Sequence, residues 1–189
     1  MHRTEGKQSK LETEEFPIEN PTAFLKLNSK SEERLAVIRF HASFYSLRPD
    51  VGAIVCFQPV WSSLLNTLDH PLPLVFDEQC RQLGAPVEMI PKRIDGSVAA
   101  GPIVLSGANA FLQDQGVVIT SVTRDKAIYN CELIEKCSKA YLLAHSTGSP
   151  IRRIPWWVRL IAKSRLIKDE RKASAAYSRG ETPTGFKAY

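Results

Sequence analysis

The sequence lacks any long hydrophobic run. Its apolar stretches are short, and Ala140–Ala144, with five residues, is among the longest, whereas a membrane-spanning helix needs roughly 20 apolar residues. The opening segment Met1–Lys7 is polar and charged and has no apolar core of the kind found in secretory signal peptides. These two absences argue against a membrane-spanning or secreted protein, and we expect a cytoplasmic one.

Cysteine is scarce, and its spacing fits neither a disulfide framework nor a zinc finger. The four cysteines, Cys56, Cys80, Cys131 and Cys137, include no C-x-x-C pair, which is the spacing that structural zinc sites commonly use. A chain of 189 residues can also bury a sizeable core without covalent cross-links. We interpret these cysteines as buried or half-buried thiols in a reducing compartment.

Acidic residues are rare at the C-terminal end, so the charge is unevenly distributed. Residues 150–189 contain ten lysines and arginines but three acids, a net charge of +7, whereas residues 1–149 carry −2. The most basic stretch, Ile151–Arg165, also contains Trp156 and Trp157. This combination is typical of helices on membrane surfaces, where Trp lies at the interface and Lys or Arg reach anionic headgroups.

The basic stretch supplies the candidate contact residues of the chain. For a membrane surface, the cytoskeleton or another partner, they are Arg152, Arg153, Trp156, Trp157 and Arg159. The competing interpretation is a C-terminal helix that packs its Trp and Leu face on the domain or on a neighbouring subunit. Nucleic acid is not an expected partner, because no base-reading motif accompanies the charge.

The composition, with 43% hydrophobic and 24% charged residues, is ordinary for one globular domain. We predict a flexible arm over residues 1–20, because this segment is polar, charged and interrupted by proline. The domain is predicted over residues 21–149, and a basic C-terminal helix and tail over residues 150–189.

Helical and strand patterns alternate along the chain and predict an α/β layered domain. The predicted helices are Ser31–Leu47, Val60–Leu68, a turn at 77–83, a long helix from its N-cap Thr123 to His145, and Ile154–Ile167, with an extended chain beyond Lys172. The predicted strands are Val51–Phe57, covered on both faces, a short Leu74–Phe76, and a hairpin of Ala108–Leu112 with Val117–Ser121. The long helix is predicted to bury Ala127, Ile128, Cys131, Ile134, Ser138, Tyr141 and Leu142.

The segment Arg48–Ser63, R-P-D-V-G-A-I-V-C-F-Q-P-V-W-S-S, resembles the metal-binding stretch of the class II aldolase/adducin family. The usual family pattern is R-P-D-V-x-A-V-V-H-T-H-S-P-Y-A-T. The frame is kept, but Cys56 and Gln58 stand at the positions of two metal-ligand histidines. A second segment, Gly107–Thr120, resembles the family's N-A-V-L-L-R-N-H-G-V-V-V, with Gln115 at the position of the third ligand histidine.

The resemblance extends over roughly residues 35–146. His41–Tyr45, H-A-S-F-Y, is similar to the family's H-L-A-I-Y on the preceding helix. One turn earlier the family has P-S-S-E, whose Glu is the catalytic acid/base, and Val37 occupies that Glu position. The family's phosphate-binding G-N-I-S motif has no counterpart in residues 1–34.

The resemblance implies a central, mostly antiparallel sheet flanked by helices in three layers. It also implies chemistry that these residues do not support, because family enzymes hold a divalent metal, generally zinc, with three imidazoles. Cys56 could ligate zinc, but the neutral amides of Gln58 and Gln115 are poor ligands for it, and Val37 cannot transfer a proton. We therefore predict no catalytic residue and no cofactor, with zinc expected only if the chain is an enzyme.

The sequence favours a non-catalytic member of the family, a pseudoenzyme, that acts as a binding or assembly module. Because family members are often tetramers, the resemblance also implies a homo-oligomer. Two alternatives stay open. One is a metal-dependent aldolase-, epimerase- or dehydratase-type enzyme with an altered site for a sugar phosphate or keto acid. The other is an adducin-like protein associated with a membrane or the cytoskeleton through its basic tail.

Overall fold

The structure, a computed structural model, describes residues 32–68, 70–90, 102–113 and 116–186. The predicted N-cap Ser31, the predicted arm over 1–20 and Gln115 lie outside these ranges. The helices are α1 (Glu32–Leu47), α2 (Val60–Thr67), α3 (Asp77–Gln82), α4 (Pro102–Leu105), α5 (Arg124–His145) and α6 (Trp156–Tyr177). The strands are β1 (Ala53–Phe57), β2 (Glu88–Met89), β3 (Ala110–Gln113) and β4 (Gly116–Ser121).

The strands form one sheet in the order β1-β4-β3-β2. The β1–β4 and β3–β4 pairs are antiparallel, and the β2–β3 pair is parallel. The predicted hairpin is therefore confirmed, and so is the mostly antiparallel sheet. The hairpin brings Gln113 opposite Gly116 at its turn, next to the end of β1, where Phe57 pairs with Val117.

Helices cover both faces of this sheet, because successive strand residues point to opposite sides. On one face, Leu112 and Ile119 pack with Leu65 of α2 and Ile134 of α5. On the other face, Phe111 and Val118 pack with Phe40 and Phe44 of α1 and Val104 of α4. The three-layer α/β architecture that the resemblance implies is thus confirmed.

The long helix α5 begins as predicted, since the Thr123 side chain accepts a hydrogen bond from the Lys126 amide at 3.4 Å. One residue of its predicted buried stripe is wrong, because Ile128 is 49% exposed. Ala127, Ile134, Ser138 and Tyr141 of that stripe are buried. The remaining buried positions on this helix are Lys126, Asn130, Leu133 and Cys137.

Two strand predictions need correction. β1 was expected to be covered on both faces, but it lies at the end of the described sheet and is only half-buried, with Cys56 exposed. Leu74–Phe76 forms no strand, and an isolated antiparallel bridge between Leu72 and Val87 is found instead. Pro71 and Pro73 flank Leu72, and proline has no backbone N–H with which to extend a ladder.

The C-terminal helix α6 is longer than predicted. It continues to Tyr177 rather than ending at Ile167, so the extended chain expected beyond Lys172 is wrong for its first residues. Ala173 and Ala176 are buried, and the Tyr177 hydroxyl donates to the Val122 carbonyl at 2.8 Å. Tertiary contacts therefore maintain a helix that local hydrophobicity does not signal. Among the described residues, no helix is long and apolar enough to cross a membrane.

Candidate functional site

The Arg48 and Asp50 side chains of the R-P-D motif form a buried ion pair immediately after α1. Arg48 is only 6% exposed. Its Nε and Nη2 atoms donate to the two Asp50 carboxylate oxygens at 2.8 and 2.6 Å. This two-bond geometry is the strong form of an arginine–carboxylate contact.

The remaining donors of Arg48 join distant parts of the chain. Its Nη1 atom donates to the carbonyls of Ala108 at 2.9 Å and Val104 at 3.3 Å. Its Nη2 atom also donates to Asn109 Oδ1 at 2.9 Å and Glu170 Oε1 at 3.3 Å. The end of α1, the segment between α4 and β3, and α6 therefore meet at one guanidinium, and we call Arg48, Asp50, Asn109 and Glu170 the arginine hub.

Glu170 reaches the hub from α6, where the sequence alone assigned it no role. Asn109 Nδ2 donates to its carboxylate at 3.1 Å. Burial raises the pKa of Glu170, and the positive charge of Arg48 opposes that rise. The available sequence signal was that Glu170 is one of three acids in the basic segment 150–189.

Glu135 is a second carboxylate that sequence reasoning missed, and it caps the N-terminus of helix α2. Its two oxygens accept hydrogen bonds from the backbone amides of Trp61 at 2.7 Å and Ser62 at 3.0 Å. A carboxylate at a helix N-terminus is favourable, because it satisfies free amides and complements the helix dipole. Because Glu135 lies on α5, these hydrogen bonds join α2 to α5.

Two of the three positions at which the resemblance places metal ligands, Cys56 and Gln58, lie together at one corner of the sheet. Cys56 and Gln58 are at the end of β1 and are both exposed. A Cβ placed on Gly116 would lie 3.4 Å from Gln58 Cγ and 2.8 Å from the Phe57 carbonyl, so the start of β4 adjoins this corner. Gln115 itself lies outside the described residues.

The α1 side of the same corner presents Val37 and His41, which are one helical turn apart and so share a face. Val37, at the position of the family's acid/base, is 54% exposed. The Cys56 Sγ atom lies 3.9 Å from His41 Nε2, and burial lowers the pKa of this imidazole. The corner therefore contains one thiol and one imidazole. The hydrocarbon side chain of Val37 occupies the position at which the resemblance places the residue that transfers a proton.

These residues do not fit the zinc site that the family's enzymes use. Cys56 can ligate zinc as a thiolate, but the amide of Gln58 is a poor ligand. Within the part of the chain that the structure describes, no group of three or more His, Cys, Asp or Glu side chains is placed to hold a metal ion. A site of three imidazoles with an open position is therefore not available from the described side chains.

The predicted contact residues of the basic segment lie at and before the start of α6. Trp156 and Trp157 are 73% and 55% exposed, and Leu160 and Ile161 are exposed beside them; we call these four residues the Trp face. Arg152, Arg153 and Arg159 are also exposed. The helix packs on the domain as the competing interpretation expected, but through Ala162, Leu166, Ala173 and Ala176 and not through the Trp face. Packing of the Trp face on a neighbouring subunit stays a prediction.

Comparisons with solved structures agree with the fold. An L-fuculose 1-phosphate aldolase matches with a TM-score of 0.57 and 21% sequence identity, over 67% of this chain and 61% of that chain. An L-fuculose 1-phosphate aldolase from Glaciozyma antarctica PI12 matches with a TM-score of 0.56 and 19% identity, over 78% of this chain and 58% of that chain. The chain thus spans about three-fifths of these relatives, and at such identities the likeness shows the fold alone.

No curated protein matches the chain. The family model described as the class II aldolase and adducin N-terminal domain matches residues 21–142. This match covers more than half of the chain. It includes Arg48, Asp50 and Asn109 of the arginine hub, and also the sheet corner with Cys56 and Gln58. The chain therefore belongs to the class II aldolase/adducin family.

Proposed function

We propose that this protein is a non-catalytic member of its family that acts as a binding or assembly module. The observation that carries the proposal is a division of roles among the family's motif residues. Arg48 and Asp50, which are kept, are fully engaged in the buried hub that joins α1 to α6. Val37, Cys56 and Gln58, at positions where the resemblance puts the family's acid/base and two of its metal ligands, are exposed.

The division matters because the kept and replaced residues contribute to different properties. An arginine hub of this kind stabilises the fold whether or not a reaction takes place. Proton transfer by a positioned acid or base typically accelerates a reaction by about 10²–10⁴-fold, and valine cannot supply it. Loss of the imidazole ligands also removes the metal that polarises a carbonyl in the family's enzymes. The remaining scaffold can still present surfaces to partners, and we propose that it does so as a cytoplasmic homo-oligomer.

The proposal predicts that the full-length protein, purified without added metal, contains far less than one zinc or manganese ion per chain. Elemental analysis by mass spectrometry measures this ratio. The triple variant Cys56→His, Gln58→His and Gln115→His is the matched control, since it restores three imidazoles on the same scaffold and is expected to retain zinc. One bound metal ion per chain in the unaltered protein would contradict the proposal.

The enzymatic alternative predicts turnover of a substrate, whereas the non-catalytic module predicts none. If Cys56 takes part in an altered metal site, the unaltered protein with added zinc would cleave or epimerise a sugar phosphate or a keto acid. Conversion of substrate can be followed by NMR, and the variant Cys56→Ser separates turnover at this site from a contaminant. Turnover that Cys56→Ser abolishes would favour this alternative and exclude the non-catalytic module.

A second candidate function is association with an anionic membrane surface, and the exposure of the Trp face favours it. Trp156 and Trp157 extend into solvent beside the exposed cations Arg152 and Arg159. The segment from residue 150 onward carries a net charge of +7, which complements anionic headgroups. Apolar insertion and charge attraction would therefore act at one surface, as they do in interfacial helices.

The membrane candidate predicts that the protein co-sediments with vesicles of phosphatidylserine and phosphatidylcholine but not with phosphatidylcholine alone. The double variant Trp156→Ser and Trp157→Ser is expected to lose this binding. Leu143→Ser, an exposed apolar position on α5, is the matched control and should leave binding unchanged. If the double variant instead loses a homo-oligomer in sedimentation velocity runs, the Trp face contacts a second copy; if it loses only actin co-sedimentation, the partner is cytoskeletal.

A further inference from the structure

An open cavity of about 350 Å³ lies where the end of α5 meets the segment that leads into α6. Its polar lining consists of His70, Tyr141, His145, Ser149 and Arg153. Tyr141 belongs to the core on the α5 face of the sheet, whereas Cys56 contacts His41 of α1. The cavity is therefore separate from the sheet corner, and an inference about it does not depend on the proposed loss of catalysis.

One wall of the cavity is a cluster of three aromatic rings, in which the centroids of His70 and His145 are 5.1 Å apart. The Tyr141 ring lies nearly parallel to His70, at 5.7 Å between centroids, and to His145, at 5.8 Å. His70 Nε2 and the Tyr141 hydroxyl form a hydrogen bond of 2.6 Å, which fixes the two rings relative to each other. Pro73, Pro150 and Ile151 add apolar surface, so the cavity combines apolar surface with aromatic rings and ring nitrogens.

The electrostatics of the cavity favour an anion. Arg153 is exposed and lies close enough to Tyr141 to act on its phenol: burial raises the pKa of Tyr141, and the charge of Arg153 opposes that rise. None of the described residues that line the cavity carries a carboxylate. No ion pair between described residues involves Arg153 and its side chain is exposed, so within the described part of the chain its guanidinium is available to a ligand.

The C-terminus of α5 disfavours an anion in the cavity, but only weakly. A helix C-terminus carries a partial negative charge on its last free carbonyls. Here the turn that follows satisfies several of them, because the amides of Ser146, Thr147 and Gly148 donate to Leu142, Ala144 and His145. One full positive charge on Arg153, together with two imidazoles that can donate hydrogen bonds, outweighs the remaining dipole.

We propose that this cavity is a binding site for a small organic phosphate monoester. The planar fork of Arg153 suits two phosphoryl oxygens at once, and His145 and the Ser149 hydroxyl supply further donors at the same opening. A volume of about 350 Å³ is near the lower end of ligand sites and exceeds what a bare phosphate fills. The organic group of the ligand packs against the three rings and the two prolines.

The test is isothermal titration calorimetry of the full-length protein with phenyl phosphate and with inorganic phosphate at constant ionic strength. We expect saturable binding of both, tighter for phenyl phosphate because its ring contacts Tyr141 and His145. Arg153→Gln is expected to weaken phenyl phosphate binding by about tenfold, since it removes a charged hydrogen-bond partner. Arg152→Gln is the matched control, because the neighbouring Arg152 is exposed but does not line the cavity, and binding should be unchanged.

Histidine ring signals in NMR provide a second measurement. Phenyl phosphate is expected to shift the signals of His70 and His145 but not that of His41 on the opposite face, and Tyr141→Phe is expected to change the His70 shift. The absence of saturable binding would overturn the proposal. So would equal weakening by Arg152→Gln and Arg153→Gln, which would assign the binding to the diffuse charge of the C-terminal segment.

Discussion

Arg48→Met is expected to lower the free energy of unfolding by about 3–5 kcal/mol, because removing one partner of a buried ion pair leaves the other charge unpaired. In this protein two carboxylates are left, since Arg48 contacts both Asp50 and Glu170. The carbonyls of Val104 and Ala108 also lose their donor. Urea unfolding followed by circular dichroism measures the change.

Two further variants test the physical origin of this loss. The triple variant Arg48→Met, Asp50→Asn and Glu170→Gln removes the unpaired charges and is expected to recover part of the stability. Arg81→Gln breaks the exposed pair with Asp77 and is expected to change the stability by less than about 1 kcal/mol. An Arg48→Met effect no larger than that of Arg81→Gln would show that the hub does not stabilise the fold.

The hub also makes the Arg48→Met effect depend on pH. Burial already raises the pKa of Glu170 against the charge of Arg48, so removal of Arg48 raises it further. A carboxyl with a raised folded-state pKa stabilises the fold below its unfolded pKa of ~4.3, and this contribution is lost as pH rises through the folded pKa. The loss caused by Arg48→Met is therefore expected to be smaller at about pH 5 than at about pH 7.5.

Local patterns predicted the parts of the fold whose residues interact with near neighbours. The hairpin of β3 and β4 followed from two apolar runs around a glycine, and the start of α5 followed from Thr123 as N-cap, because both signals lie within a few residues of what they specify. The end of α6 did not follow. Ala173 and Ala176 are weakly hydrophobic, and their burial depends on a surface assembled from distant segments.

Some features of the candidate site could likewise be predicted from the sequence, and others could not. The replacements at Val37, Cys56 and Gln58 are visible from the order of the motifs, since a resemblance aligns positions directly. What Arg48 contacts is not visible, because its partner Glu170 is separated from it by 122 positions. A hydrophobic pattern likewise cannot tell whether Trp156 and Trp157 are core or surface, since either placement leaves the same period along the helix.

Gly84→Ala is the second substitution with a large expected effect, because Gly84 lies between α3 and α6 where no side chain fits. Gly84 follows the end of α3 and has a φ of 74°, a left-handed conformation that suits glycine. A Cβ at this position would lie 2.4 Å from the Gly107 carbonyl and 2.8 Å from Leu166 Cδ2 of α6. The Leu166 side chain can rotate away from the added Cβ, but the Gly107 carbonyl belongs to the backbone. It is next to Ala108, whose carbonyl accepts a hydrogen bond from Arg48.

We expect Gly84→Ala to lower the free energy of unfolding by about 2–5 kcal/mol, as left-handed strain and overpacking add. Gly180→Ala is the matched control, since Gly180 has a φ of 72° and no atom within 4 Å of the added Cβ, so only strain of about 1–2 kcal/mol remains. Urea unfolding measures both, and hydrogen exchange of α6 amides reports whether the helix stays docked. Equal losses in the two variants would mean that the α3–α6 contact accommodates the added methyl group without further cost. Faster exchange confined to α6 in Gly84→Ala would show that the additional loss comes from weaker docking of that helix.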